Sequence, residues 1–66
     1  MLKYEAEKDD GKLTAIIRDS SMGGVEMNIR MDSSAVDGVI VHIGFYTTKE
    51  EACQELHELF PDMKWR

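Results

Sequence analysis

Apolar and polar residues alternate along four stretches of this chain and then switch to a longer period near its end. Leu2, Tyr4 and Ala6 alternate with Lys3, Glu5 and Glu7, the period of a half-buried strand. Asp9-Asp10-Gly11-Lys12 follows, and Asp-Gly between two alternating runs is a strong hairpin signal. The return strand runs from Lys12 to Arg18, with Leu13, Ala15 and Ile17 on one face and Thr14, Ile16 and Arg18 on the other. Ser20-Ser21-Met22-Gly23-Gly24 reads as a loop, because adjacent glycines break a regular element. Val25, Met27, Ile29 and Met31 then alternate against Glu26, Asn28, Arg30 and Asp32, giving a strand with one dry face and one wet face. A second turn, Ser33 to Gly38, leads into the most apolar stretch, Val39–Tyr46. Strict alternation there puts Val39, Val41, Ile43 and Phe45 on one face and Ile40, His42 and Tyr46 on the other, with Gly44 between them. Its β-branched and aromatic content predicts a strand, and its apolarity predicts one inside the sheet.

The period changes after Tyr46. Thr47 and Thr48 are N-cap residues, with Glu50 and Glu51 placed as capping-box partners. Ala52, Cys53, Leu56, Leu59 and Phe60 recur at helical spacing, and Pro61 ends the helix at or before Phe60. Trp65, in the short tail, is expected to fold back onto the sheet or helix. The order is therefore ββββα. Short connections favour a four-stranded antiparallel meander, since a parallel pair needs a crossover of a dozen or more residues. The C-terminal helix must pack on one face, because only there is its apolar stripe buried. The predicted core joins Leu13, Ile17, Val25, Met27, Ile29, Met31, Val39, Val41, Ile43 and Phe45 to Leu56, Leu59 and Phe60. That register leaves Ile16, Ile40, His42 and Tyr46 on the outer face, either as scattered surface apolars or as a second face covered by a homodimer or a partner.

The 66 residues fit one small α+β domain over residues 1–66. A hydrophobic share of 42% supports a packed core, and a charged share of 32% supports a solvated exterior. Thirteen acidic against eight basic side chains give a net charge of −5, which repels polyphosphate and anionic membranes and suits a partner with a basic surface. One cysteine, Cys53, permits neither an internal disulfide nor a tetrahedral cysteine site. The first residues show no apolar signal-peptide core, and the apolar runs Ala15-Ile16-Ile17 and Val39-Ile40-Val41 are too short to span a bilayer. A cytoplasmic protein without a membrane segment is the expectation.

Candidate chemistry is sparse. Asp19-Ser20-Ser21 and Asp32-Ser33-Ser34 repeat one phrase, but in a meander they fall at opposite ends of the sheet, and both residue types favour turns. The Ser20–Gly24 loop has the glycines of an anion cradle but neither a following helix nor a nearby lysine. Cys53 and His57 are spaced to lean toward one metal, with His42 as a third ligand, yet Cys53 sits at the edge of the apolar stripe and His57 faces water. The carboxylate pairs Asp9/Asp10, Glu50/Glu51 and Glu55/Glu58 belong to a turn or a helix surface. No catalytic residue, metal or cofactor is expected. A concave pocket holding His42 with Cys53 or Tyr46 would argue for an enzyme.

The stretch Gly44-Phe45-Tyr46-Thr47-Thr48-Lys49-Glu50-Glu51-Ala52 resembles the strand-to-helix junction of small DNA-binding modules with three strands and a helix, such as ethylene-response-factor and integrase arm-type domains. The resemblance implies DNA contacts from basic and aromatic side chains on the sheet. The outward positions here, among them Lys3, Glu5, Glu7, Arg18, Glu26 and Arg30, are of mixed charge. The expected function is that of a small acidic, non-enzymatic protein-interaction module, including an inhibitor or regulator that binds a basic surface. The expected contact residues are Glu51, Glu55, Glu58 and Asp62 along the helix and Ile16, Ile40, His42 and Tyr46 on the open sheet face. A strand-rich nucleic-acid binder and a homo-oligomeric accessory subunit are the alternatives.

Overall fold

In a computed structural model of residues Met1–Arg66, the four alternating segments form β1 (Leu2–Lys8), β2 (Gly11–Asp19), β3 (Val25–Asp32) and β4 (Val39–Tyr46), and α1 spans Lys49–Leu59. The strands pair antiparallel in the order β1-β2-β3-β4 as one open sheet. α1 packs on one face, against β2, β3 and β4. This is the ββββα meander that the alternation and the short connections predict. No helix is long and apolar enough to cross a membrane.

Local chemistry sets the boundaries. Lys8 pairs with Gly11, so Asp9 and Asp10 are the two turn residues, one position earlier than the Asp-Gly signal suggests. Asp9 takes a positive φ of 54°, a conformation that aspartate tolerates better than most residues. At the start of α1 the Thr48 side chain accepts a hydrogen bond from the Glu51 amide at 3.2 Å, and the Glu51 carboxylate accepts from the Thr47 amide at 3.3 Å. Two otherwise orphaned donors are thereby satisfied. The helix closes with the Phe60 amide donating to the Leu56 carbonyl, immediately before Pro61.

The core is one cluster: Leu13, Ala15 and Ile17 of β2, Val25, Met27 and Ile29 of β3, and Ala52 and Leu56 of α1. Ala15 and Ala52 are fully buried, and their short side chains let the helix lie close on the sheet. Tyr4, Met31, Tyr46, Phe60 and Trp65 pack around this cluster. As expected, the tail folds back. Trp65 meets Phe60 edge-to-face at a ring-centroid distance of 6.0 Å, and its buried Nε1–H has no partner. Arg66 then exchanges two backbone hydrogen bonds with Glu5, at 3.0 and 2.9 Å, and its guanidinium reaches Glu7 at 2.8 Å. Arg66 thus pairs with the middle of the outer edge of β1.

The opposite edge departs from expectation. β4 is not interior; it is the outermost strand. Val39, Val41, Ile43 and Phe45, predicted for the core, are 43%, 44%, 55% and 68% exposed, and Leu59 is also exposed. For Ile43 and Phe45 the cause is a register shift between Ile29 and Arg30, which pair with His42 and Ile40 and leave Val41 as an extra residue; Val39, opposite Met31, keeps its predicted face and is exposed there. Such a bulge inverts the alternation beyond it. His42, Gly44 and Tyr46 pair with Ile29, Met27 and Val25 and therefore share the helix-covered face. Ile43 and Phe45 pair with Asn28 and Glu26 and share the outer one.

Replacing Thr48 by Ala removes the cap and is expected to lower stability by about 1 kcal/mol, read as a lower urea midpoint with an unchanged slope.

Candidate functional site

The outer face of the sheet divides in two. Over β1 to β3 it is a lattice of ion pairs: Lys3 with Glu5 at 3.4 Å, Lys12 with Glu5 at 3.9 Å, Arg18 with Glu26 at 3.0 Å, and Arg30 with Asp32 at 3.6 Å. Thr14 is buried between its cross-strand neighbours Glu5 and Arg30. Over β4 the same face is apolar, formed by Ile40, Ile43 and Phe45. Val39 and Val41 are exposed as well, so five of the eight large hydrophobic side chains left in water belong to this one strand. That concentration on a single element, as opposed to a scatter of single apolars, makes β4 the candidate contact surface. On the opposite, helix-covered face, Leu13, Met31, Val41 and Phe60 line a cleft of about 320 Å³ closed on one side by the turn Asp9–Lys12.

The backbone of β4 is open too. Along a strand, successive residues turn their N–H and C=O groups to alternate sides. Glu5 gives both of its groups to Arg66, so Tyr4 and Ala6 turn theirs to β2. Carrying the alternation through the paired residues, Thr14 and Ile16 bond β3, Met27 and Ile29 bond β4, and Gly44 and His42 bond back. Ile43 and Phe45 are left with N–H and C=O groups aimed away from the sheet. β4 combines exposed apolar side chains with unpaired ladder groups, the two features that native edge strands usually suppress.

The predicted contact residues fall into three places. Ile40 belongs to the apolar patch, and Ile16 is half-buried on the outer face between Lys3 and Asn28. His42 and Tyr46 are displaced to the helix side by the bulge, contrary to their predicted outward orientation. There the Tyr46 hydroxyl and His42 Nε2 lie 3.0 Å apart. The Tyr46 ring crosses Gly44 to make this contact: a Cβ at Gly44 would stand 2.8 Å from the ring carbon Cζ and 2.9 Å from His42 Nε2. None of the concave surfaces holds His42. Burial, and secondly the charge of Glu55, push the Tyr46 phenol above its ordinary value.

The helix carboxylates do not make one free stripe. Glu51 serves the cap, Glu55 is half-buried near Tyr46, and Glu58 accepts a hydrogen bond from Gln54 at 3.5 Å. Asp62 lies beyond the helix and is exposed. Cys53 faces Tyr4, its sulfur 3.7 Å from the hydroxyl, and the hydrogen bond and charge of Cys53, with burial third, raise the Tyr4 pKa. No three His, Cys, Asp or Glu side chains converge as a metal site would require. Ser20 occupies the amides of Met22 and Gly23 with its side chain and carbonyl, which closes that loop on itself.

Val39, Val41, Ile43 and Phe45 are the contact candidates missed by sequence reasoning. A signal for them was present: the fourth strand of a meander is an edge strand by topology, whatever its hydropathy. Compared with protein-family models, curated proteins and solved structures, the chain matches none.

Two outcomes follow from the Tyr46 contact. Gly44→Ala forces the ring off His42 and is expected to cost about 1–3 kcal/mol, measured by chemical denaturation. Tyr4 and Tyr46 hold their protons more tightly folded than unfolded, where the phenol value is 10.0. Their contribution is whole below that pH and is lost as pH rises through the higher folded values. The urea midpoint is expected to fall above pH 10, and to fall less in a Tyr4→Phe/Tyr46→Phe double variant.

Proposed function

We propose that this chain is a non-enzymatic protein-interaction module that binds by strand addition to the free edge of β4. The observation that carries the reading is the contrast between the two edges of the sheet. In the middle of the β1 edge the tail takes up the ladder groups of Glu5, while the β4 edge keeps its ladder groups free among exposed Val39, Ile40, Val41, Ile43 and Phe45. In strand addition, main-chain hydrogen bonds supply affinity and alternate side chains supply selectivity, and β4 offers both. The ion-paired outer face supports a protein partner over nucleic acid, since Lys3, Lys12, Arg18 and Arg30 each lie beside a carboxylate and a phosphate backbone would compete with those carboxylates.

The acidic helix is the rival surface, and the two make opposite demands. Affinity capture from source-cell lysate separates them when wild type, Ile43→Lys and Glu58→Lys/Asp62→Lys are compared at two salt concentrations. Binding through β4 predicts a stoichiometric partner that Ile43→Lys loses, while the helix variant and higher salt leave it in place. A partner lost with the helix charges and with salt, and indifferent to Ile43, would move the function to α1 and its basic target.

A further inference from the structure

We propose that the strand added to β4 is β4 of a second copy of this chain, antiparallel about a two-fold axis at Ile43, so that two four-stranded sheets become one of eight strands. The inference rests on the β4-edge reading above and names its occupant.

The face pattern of β4 is self-complementary. Ile40, Ile43 and Phe45 belong to the outer face, and Val39, His42, Gly44 and Tyr46 to the helix side. With Ile43 opposite itself, Gly44 meets His42, Phe45 meets Ile40 and Tyr46 meets Val39, leaving Val41 as the bulged residue on each strand. Every pair then joins side chains of the same face, and the whole strand is used. Without the bulge, this two-fold register would not bring Phe45 opposite Ile40. The pairs also suit one another. On the outer side a continuous apolar ladder forms, with an aromatic ring against a β-branched side chain at both ends. On the helix side the bulky His42 stands opposite glycine.

Charge permits the same arrangement. Val39–Tyr46 contains no acidic or basic residue other than His42, so the strands approach without like-charge opposition despite the chain's net charge of −5. Antiparallel pairing brings the start of one β4 to the end of the other, which places Asp37 of one copy beside the Thr48-Lys49 segment of its mate. Ile43 and Phe45, whose N–H and C=O groups face outward, supply the new ladder bonds. An isologous contact of this kind closes on itself, and at each outer edge of the eight-stranded sheet the tail already occupies Glu5 in the middle of β1.

The test uses the full chain. Sedimentation equilibrium over micromolar to millimolar concentrations is expected to give twice the 7.5 kDa chain mass, with slow amide exchange at Ile43 and Phe45. Ile43→Lys and Ile43→Glu each place like charges opposite one another at the axis, and each alone is expected to be monomeric with fast exchange at Phe45. Mixed in equal amounts, they are expected to restore a one-to-one dimer, a result tied to an axis at residue 43. Circular dichroism establishes that each variant remains folded. If one does not, exchange and mass of the wild type decide the matter. A wild type that stays monomeric overturns the second copy as occupant and leaves the edge reading to the capture experiment. A dimer whose Ile43 and Phe45 amides exchange freely overturns the β4 seam and likewise leaves the edge reading to the capture experiment. Two monomeric variants that fail to pair overturn the Ile43-centred register.

Discussion

The β3–β4 ladder takes up one extra residue at Val41, and the placement of everything from His42 onward depends on it. Upstream of the shift, Val39 and Ile40 keep the faces that simple alternation assigns. Downstream, Tyr46 turns under the helix and Phe45 turns into water. The inward Tyr46 joins the apolar cluster, meets His42 and stands at the start of α1 near Glu55. The outward Ile43 and Phe45 extend the apolar patch that Ile40 begins. One inserted residue therefore couples how the helix is seated to what the sheet displays.

The size of the helix explains why so much of β4 stays uncovered. A single helix, about 10 Å across, does not cover the width of four strands spaced about 4.8 Å apart, and α1 buries only Ala52 and Leu56 of its own residues completely. It lies over β2, β3 and β4, and the sheet residues fully buried in the core are Ala15, Ile17, Met27 and Ile29. On the β1 side, Tyr4, Phe60, Met63 and Trp65 make good the shortfall. The start of β4 has no such supplement: Val39 and Val41 stay exposed, and Val41 borders an open cleft.

Much of this was legible in the amino-acid order. The strands, the helix, its Thr48–Glu51 cap, the stop at Pro61 and the return of Trp65 all follow from local patterns with a direct physical cause. The β3 alternation of Val25, Met27 and Ile29 identified the central core correctly. Bulges have no comparable local signature. Val39-Ile40-Val41-His42-Ile43 carries no glycine or proline to mark an inserted residue, and only the fit of Ile29 against His42 reveals it. Errors in the predicted contact set trace to that point: His42 and Tyr46 were assigned outward, Ile43 and Phe45 inward. The edge position of β4 was a different miss, since high hydropathy was weighed above the strand order that a meander imposes. Ile40 was placed correctly, because it precedes the insertion.

The Glu5–Arg66 contact joins residues far apart in the chain, with the sheet and the helix between them. The entropy of closing so long a loop is repaid only once the elements it encloses have packed. Until then the middle of β1 shows the same open ladder groups that β4 keeps in the folded chain. The segment after the helix is therefore a late-closing guard on one edge, and its docking separates a sheet with two adhesive margins from one with a single margin.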